Sequence, residues 1–214
     1  MTATAVAATL GAFAAAPGLP SSTAAALSHG LARSGAPAPF VDCRDTKRVA
    51  LTFDDGPTQY TAAILGTLER QHTVATFFLI GPHALHYRKD VPRQLRDGDA
   101  IGDHTVTHPN LTRLPPARID HELETAAGEI ASVTGQWPTL FRPPFGAWNA
   151  RVRGAAGAEG LSVVMWSVSP QDWKNHNPHL IEQSVLARAR PGAIIVLHDR
   201  YATTHRPSRT SFTR

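Results

Sequence analysis

Only one of the 214 residues is a cysteine, Cys43, so no disulfide can form within the chain. Long apolar runs are missing as well. The Ala-, Val- and Leu-rich stretch over residues 3–16 is too short and too weakly apolar to span a membrane. No lysine or arginine precedes Arg33, so this stretch reads as the apolar part of an export signal without its positive flank. Acidic residues are absent from the last fifteen positions, which hold Arg200, Arg206, Arg209 and Arg214. Those arginines account for the whole net charge of +4, leaving Met1 to Asp199 balanced. A nucleic-acid-binding domain would carry a basic stripe on its folded body. Here the excess sits in a tail, so nucleic acid is not the expected partner.

What is present suits one globular domain. The length allows a sizeable core, and 42% apolar with 18% charged residues is ordinary for such a fold. Residues 1–40 are expected to form a signal-like or disordered leader, which points to a secreted or cell-surface protein. The folded body is expected over 46–199, followed by a basic, unstructured tail over 200–214. Within the body, β-branched and aromatic runs predict strands at 49–53, 74–80, 100–102, 139–141, 161–168 and 193–197. Helical periodicity predicts helices at 61–71, 116–133, 150–158 and 178–189. Strands alternating with helices imply βαβ units and a parallel sheet or barrel.

Nearly every predicted strand runs into ionisable residues. The first ends at Asp54-Asp55, the third at Asp103-His104, the fourth at Arg142 and the last at His198-Asp199, while the run over 161–168 leads to Asp172. In β/α barrels the C-terminal strand ends share one rim, and the active site sits there. Adjacent carboxylates repel, so Asp54 and Asp55 at the end of an apolar strand call for a cation or a shared proton. His104 and His108 are four apart and can grip one metal ion. Two imidazoles and one carboxylate make a three-ligand zinc set, which assigns Asp55 to the metal and leaves Asp54 as base. Arg142 beside Asp54 would keep that base ionised, and the Phe145 N–H of Arg-Pro-Pro-Phe-Gly could face a developing oxyanion. His198 is the candidate general acid, with Asp172 or Asp199 to hold its tautomer. Trp148, Trp166 and Trp173 lie near these segments and could stack on sugar faces.

Thr-Phe-Asp-Asp-Gly-Pro, His-Thr-Val-Thr-His, Arg-Pro-Pro-Phe-Gly, Gln-Asp-Trp and Val-Leu-His-Asp occur in the order of the five motifs of polysaccharide deacetylases, which the chain resembles over Val49–Asp199. The resemblance implies an α/β fold, a single distorted (β/α) barrel, with a divalent metal, usually zinc, with cobalt or another divalent ion as the alternative. It makes Asp54 the base, His198 the acid tuned by Asp172, and Arg142 the residue that orients Asp54. Asp55, His104 and His108 become the metal ligands. Phe145, Trp173 and Leu197 become substrate contacts, the last two around the acetyl methyl. The implied activity is removal of acetyl groups from N-acetylglucosamine polymers by a monomer. Acetylxylan esterase activity and a non-catalytic glycan-binding barrel are the alternatives. Asp103, Val106 and Ser169 stand where the family commonly has Asn, an aromatic and Asp. Family members usually continue past His-Asp with a helix and a strand. The barrel is therefore expected to be incomplete at its C-terminus, with the strand at Ala193–Leu197 lacking one neighbour or borrowing one from the N-terminal segment.

Overall fold

The computed structural model describes residues 48–205. Six parallel strands form one sheet: β1 (Ala50–Gly56), β2 (Thr76–Leu79), β3 (Ala100–Asp103), β4 (Leu140–Phe141), β5 (Ser162–Val163) and β6 (Ile194–His198), in the order β5-β4-β3-β2-β1-β6. Seven helices connect or flank them: α1 (Thr61–Arg70), α2 (Gly81–His86), α3 (Val91–Arg96), α4 (Pro116–Thr134), α5 (Ala150–Ala158), α6 (Pro178–Arg188) and α7 (Ala202–His205). The leader expected over residues 1–40 lies outside the described residues.

Helix boundaries follow local chemistry. Pro116 opens α4, where its missing N–H has no helical partner to lose, and Gly135 ends it in the left-handed region at φ 72°. Asn149 caps α5 by accepting from Val152 N–H at 3.0 Å, and Asn177 caps α6 by accepting from His179 N–H at 3.0 Å. The short helices α2 and α3, each with a proline in its first turn, fall in a region for which the sequence predicts neither helix nor strand.

Strand alternation sorts the side chains into two layers. Phe53, Phe77 and Leu79 join Ile64, Leu65 and Leu68 of α1 in the larger apolar cluster, with Leu51 and Ile101 packed against it. Phe141 packs with Ile119 and Leu123 of α4 and Val152 of α5 in a second cluster. The intervening residues, Thr52, Asp54, Phe78, Gly102 and Arg142, therefore share the opposite face, inside the curl of the sheet. Register completes the placement, because Asp54 of β1 pairs with His198 of β6 on one side and with Phe78 of β2 on the other.

Two expectations about the end of the barrel are corrected. The run over 161–168 is not one strand. It pairs with β4 at Ser162–Val163, leaves the sheet, and returns at Val168 to bridge Ile195. Ser167 and Val168 N–H donate to the Ile194 carbonyl at 2.9 and 3.1 Å, and Val196 N–H donates to the Val168 carbonyl at 3.0 Å. β6 thus has neighbours on both sides, and the two ends of the curled sheet are joined through one segment. The second correction concerns residues 200–205. They carry α7, which lies against α1, where the sequence suggests an unstructured tail. Residues 206–214 lie outside the described residues.

Candidate active site

Asp54 and Asp55 reach the same rim because β1 is bulged between them. The register moves from Asp54↔Phe78 to Gly56↔Leu79, leaving Asp55 as the extra residue, at φ 74°. Asp54 follows the inward face. Its Oδ1 accepts from Arg142 Nη1 at 2.7 Å, and both side chains are buried. The same Nη1 donates to Thr52 Oγ1 at 2.7 Å, and Arg142 Nε donates to the Val164 carbonyl at 3.1 Å. The guanidinium lies 4.1 Å from the centroid of the Phe78 ring. Gly102 makes that stacking possible, since a Cβ there would come within 2.6 Å of Phe78.

Asp55, His104 and His108 offer ligand atoms that all lie within 4.8 Å of one another. His104 Nε2 is 3.5 Å and His108 Nε2 3.3 Å from Asp55 Oδ1. That oxygen is buried without a hydrogen-bond partner among the described residues. His104 Nδ1–H donates to the Arg142 carbonyl at 2.7 Å, which fixes the tautomer and turns Nε2 toward Asp55. A backbone carbonyl behind an imidazole is the usual support of a metal-ligating histidine. The residues therefore fit a divalent cation on their own chemistry. Burial alone would raise the Asp55 pKa. The close approach of His104 and the nearby charges of His104, His198 and His108 outweigh that and hold it well below the usual carboxylate range. Burial pushes Asp103, beside His104, up to about 8, while its Oδ1 accepts from Thr105 N–H at 2.6 Å. A protonated carboxyl still offers that acceptor.

His198 and Asp172 form a second pair. Asp172 is fully buried. Its Oδ1 accepts from His198 Nδ1 at 2.8 Å, and its Oδ2 accepts from His198 N–H at 2.7 Å and from Thr204 Oγ1 at 3.2 Å. Burial lowers the imidazole pKa, but the hydrogen bond and charge of Asp172 outweigh it, with a net rise above the ordinary histidine value. Asp199, the other carboxylate open to sequence reading, turns away. Its Oδ2 accepts from Thr61 Oγ1 at 2.6 Å, and its carboxylate lies against the Cα of Gly56.

Among the substrate contacts the resemblance implies, Phe145 packs on the site, with its ring centroid 4.7 Å from that of His108. It lies at φ 61°, within a turn whose hydrogen bonds are Gly146 N–H to Pro143 O and Ala147 N–H to Pro144 O, both 3.0 Å. Phe145, Trp148 and Trp173 are all strongly exposed. Leu197 is corrected. It packs against the clusters containing Phe53 and Ile195, on the helix side of the sheet. Alternation gives the His198 face to the buried Val196 instead. Sequence reasoning also leaves out Thr52, Glu122 and Arg200. Arg200 Nη1 stands 3.4 Å from Asp55 Oδ2, and its side chain is 54% exposed at the rim. Glu122 had a visible signal, because it interrupts the apolar stripe Ile119, Leu123, Ala126 and Ile130 of α4.

The sequence model described as polysaccharide deacetylase matches residues 42–164. The chain is 40% identical over 164 residues to a chitooligosaccharide deacetylase of Bradyrhizobium sp. (strain ANU 289), covering 76% of this chain and 75% of that protein. It is 37% identical over 172 residues to the peptidoglycan-N-acetylglucosamine deacetylase PgdA of Listeria monocytogenes, covering 80% of this chain. That match spans 36% of the length of PgdA, so the chain corresponds to about a third of it. Among solved structures, a deacetylase with substrate superposes with a TM-score of 0.74 at 39% identity, over 78% of this chain and 82% of that one.

Proposed function

This chain belongs to the polysaccharide deacetylase family, and on that footing we propose that it hydrolyses acetyl groups from N-acetylglucosamine-containing polysaccharide, either chitooligosaccharide or the glycan of peptidoglycan. One observation carries the reading. The ends of β1, β3 and β6 bring together an aspartate held by a buried arginine, an Asp-His-His set shaped for a cation, and an imidazole–carboxylate pair.

Asp55, His104 and His108 would hold the metal, and two imidazoles with one carboxylate favour zinc. A divalent ion bound there would polarise the acetyl carbonyl and make a nearby water more acidic. Asp54 takes the proton from the attacking water, and its pairing with Arg142 keeps it ionised and fixed in orientation. The Phe145 N–H faces the developing oxyanion. His198 carries its proton on the nitrogen opposite Asp172 and gives it to the leaving amine. The exposed Phe145, Trp148 and Trp173 offer flat apolar faces to sugar rings. All these groups come from one chain, so a monomer suffices. A cell-wall glycan as substrate supports an action at the cell surface or outside the cell.

The test is acetate release from chitooligosaccharides, peptidoglycan glycan and acetylxylan, with and without a chelator. Release from the first two should stop on chelation and return with zinc. Asp54→Asn should keep the metal and lose about 10²–10⁴-fold in turnover. Release that survives chelation, or an Asp54→Asn variant of near wild-type rate, would overturn the reading. Preferential release from acetylxylan would move the substrate class to O-acetylated polymers.

A further inference from the structure

The loop between the two histidine ligands has a conformation that its own residues do not favour. Thr105 lies at φ 69° and His108 at φ 55°, both in the left-handed region and neither a glycine. Inside the loop, Thr105 Oγ1 accepts from His108 N–H at 3.1 Å. That one contact does not hold Val106 and Thr107 between them. What holds them comes from another element. Glu122 of α4, 1% exposed, accepts from Val106 N–H at 3.0 Å and Thr107 N–H at 2.8 Å through Oε2, and from Thr107 Oγ1 at 2.7 Å through Oε1. Arg118, one turn earlier on α4, approaches the same carboxylate at 3.9 Å.

A buried carboxylate needs donors to replace water, and two consecutive backbone N–H groups in a tight loop need an acceptor. Glu122 and the loop satisfy each other. The loop thus becomes rigidly attached to the longest helix of the described fold, whose apolar face packs on the sheet. His104 is already fixed through β3 and the Arg142 carbonyl, but His108 is half-buried and depends on the loop for its position. We propose that Glu122 is a positioning residue of the metal centre. By clamping Val106 and Thr107 it holds His108 Nε2 opposite Asp55, and so sets the affinity for the cation. This inference rests on the reading of Asp55, His104 and His108 as the ligand set. Support shells of this kind commonly contribute about 10–100-fold to metal affinity.

The experiment measures zinc affinity of the metal-free full chain by competition with a chromophoric chelator, alongside its melting temperature. The proteins are wild type, Glu122→Gln, Glu122→Ala, Thr107→Val, His104→Ala and Glu124→Ala, the last being an exposed acid on the same helix. Glu122→Ala should bind zinc about 10–100-fold more weakly. Glu122→Gln should fall between it and wild type, because an amide keeps only one acceptor oxygen, and Thr107→Val should show a smaller loss. Glu124→Ala should bind like wild type. The visible spectrum of the Co(II)-substituted protein should change in Glu122→Ala, as an altered position of His108 requires. A purely structural role would lower the melting temperature and leave zinc affinity and the cobalt spectrum of the folded protein unchanged, and that result overturns the inference. If Glu122→Ala fails to fold, wild-type affinity in both Glu122→Gln and Thr107→Val overturns it equally. If wild type binds no zinc, or His104→Ala binds as tightly as wild type, the ligand assignment itself has failed.

Discussion

At His198 two effects oppose each other. Burial strips water from the imidazolium and lowers its pKa, while Asp172, bonded at 2.8 Å, favours the charged form and wins. A raised pKa keeps the acid protonated to higher pH, so activity should be present below it and lost as pH rises through it. Asp172→Asn removes the charge and leaves burial, which shifts the His198 pKa down. The alkaline limb of the kcat/KM profile should therefore move to lower pH, while the acid limb stays in place. An unmoved alkaline limb would show that another group donates the proton. The residues of this pair, like Asp54, Asp55, His104, His108 and Arg142, were legible in the sequence because their chemistry is unusual at strand ends. Leu197 was misplaced for a reason specific to strands, where a shift of one residue exchanges the two faces. The choice between Val196 and Leu197 needs the pairing of Asp54 with His198 to settle it. Arg200 carried no local signal, since an arginine in a basic stretch looks like a solvated charge.

Among the elements, the long ones were legible and the short ones were not. The 19-residue α4 and the apolar β1 carry clear periodicity or β-branched and aromatic runs. The six-residue α2 and α3 give too few turns for a period to emerge. The run over 161–168 is continuous in composition but divided in space, and only the positions of β4 and β6 decide where it breaks. Glycines show the same dependence on partners. In β3, a methyl on Gly102 would stand 2.6 and 2.7 Å from two Phe78 ring atoms and 3.1 Å from the Leu140 carbonyl. Phe78 cannot yield without moving the Arg142 guanidinium stacked on it, and with that the orientation of Asp54. Gly102→Ala should lose about 1–3 kcal/mol, as overpacked positions do. In a domain of this size that is roughly 3–10 °C in Tm, with a fall in kcat as well. Gly128→Ala on α4 meets nothing within 4 Å and should match or exceed wild-type Tm, since alanine suits a helix interior better. Thermal melts of the two variants compare them directly. Equal melting temperatures would mean that Phe78 moves aside freely and does not support the arginine.

Over the molecule as a whole, charge is distributed unevenly. The sequence up to Asp199 is balanced, yet the C-terminal ends of the strands and the segments after them gather the buried carboxylates of Asp54, Asp55, Asp103, Asp172 and Asp199. Arg142 is the one buried guanidinium among them in the described residues, and it is committed to Asp54. Asp55 Oδ1 faces His104 Nε2 at 3.5 Å and His108 Nε2 at 3.3 Å and accepts no hydrogen bond among the described residues. A divalent cation bound at Asp55, His104 and His108 would offset that imbalance only in the folded chain, because Asp55 and the His104–His108 pair come from the ends of two strands far apart in sequence. Binding to the native state alone stabilises by about 2.7 kcal/mol when free zinc is 100 times its Kd. For a domain of this size that corresponds to a rise of about 5–10 °C in Tm. The rise should persist in Asp54→Asn, which keeps all three ligands, and vanish in Asp55→Asn and His104→Ala. The metal-free Asp55→Asn protein should melt lower than metal-free wild type at neutral pH, because a carboxylate whose pKa is held below its usual range stabilises the fold while ionised. If zinc raised the melting temperature equally in wild type and His104→Ala, the stabilising ion would be bound elsewhere. The carboxylate cluster would then have to be explained by protonation, with burial pushing Asp103 up to about 8 and Asp199 up to about 7.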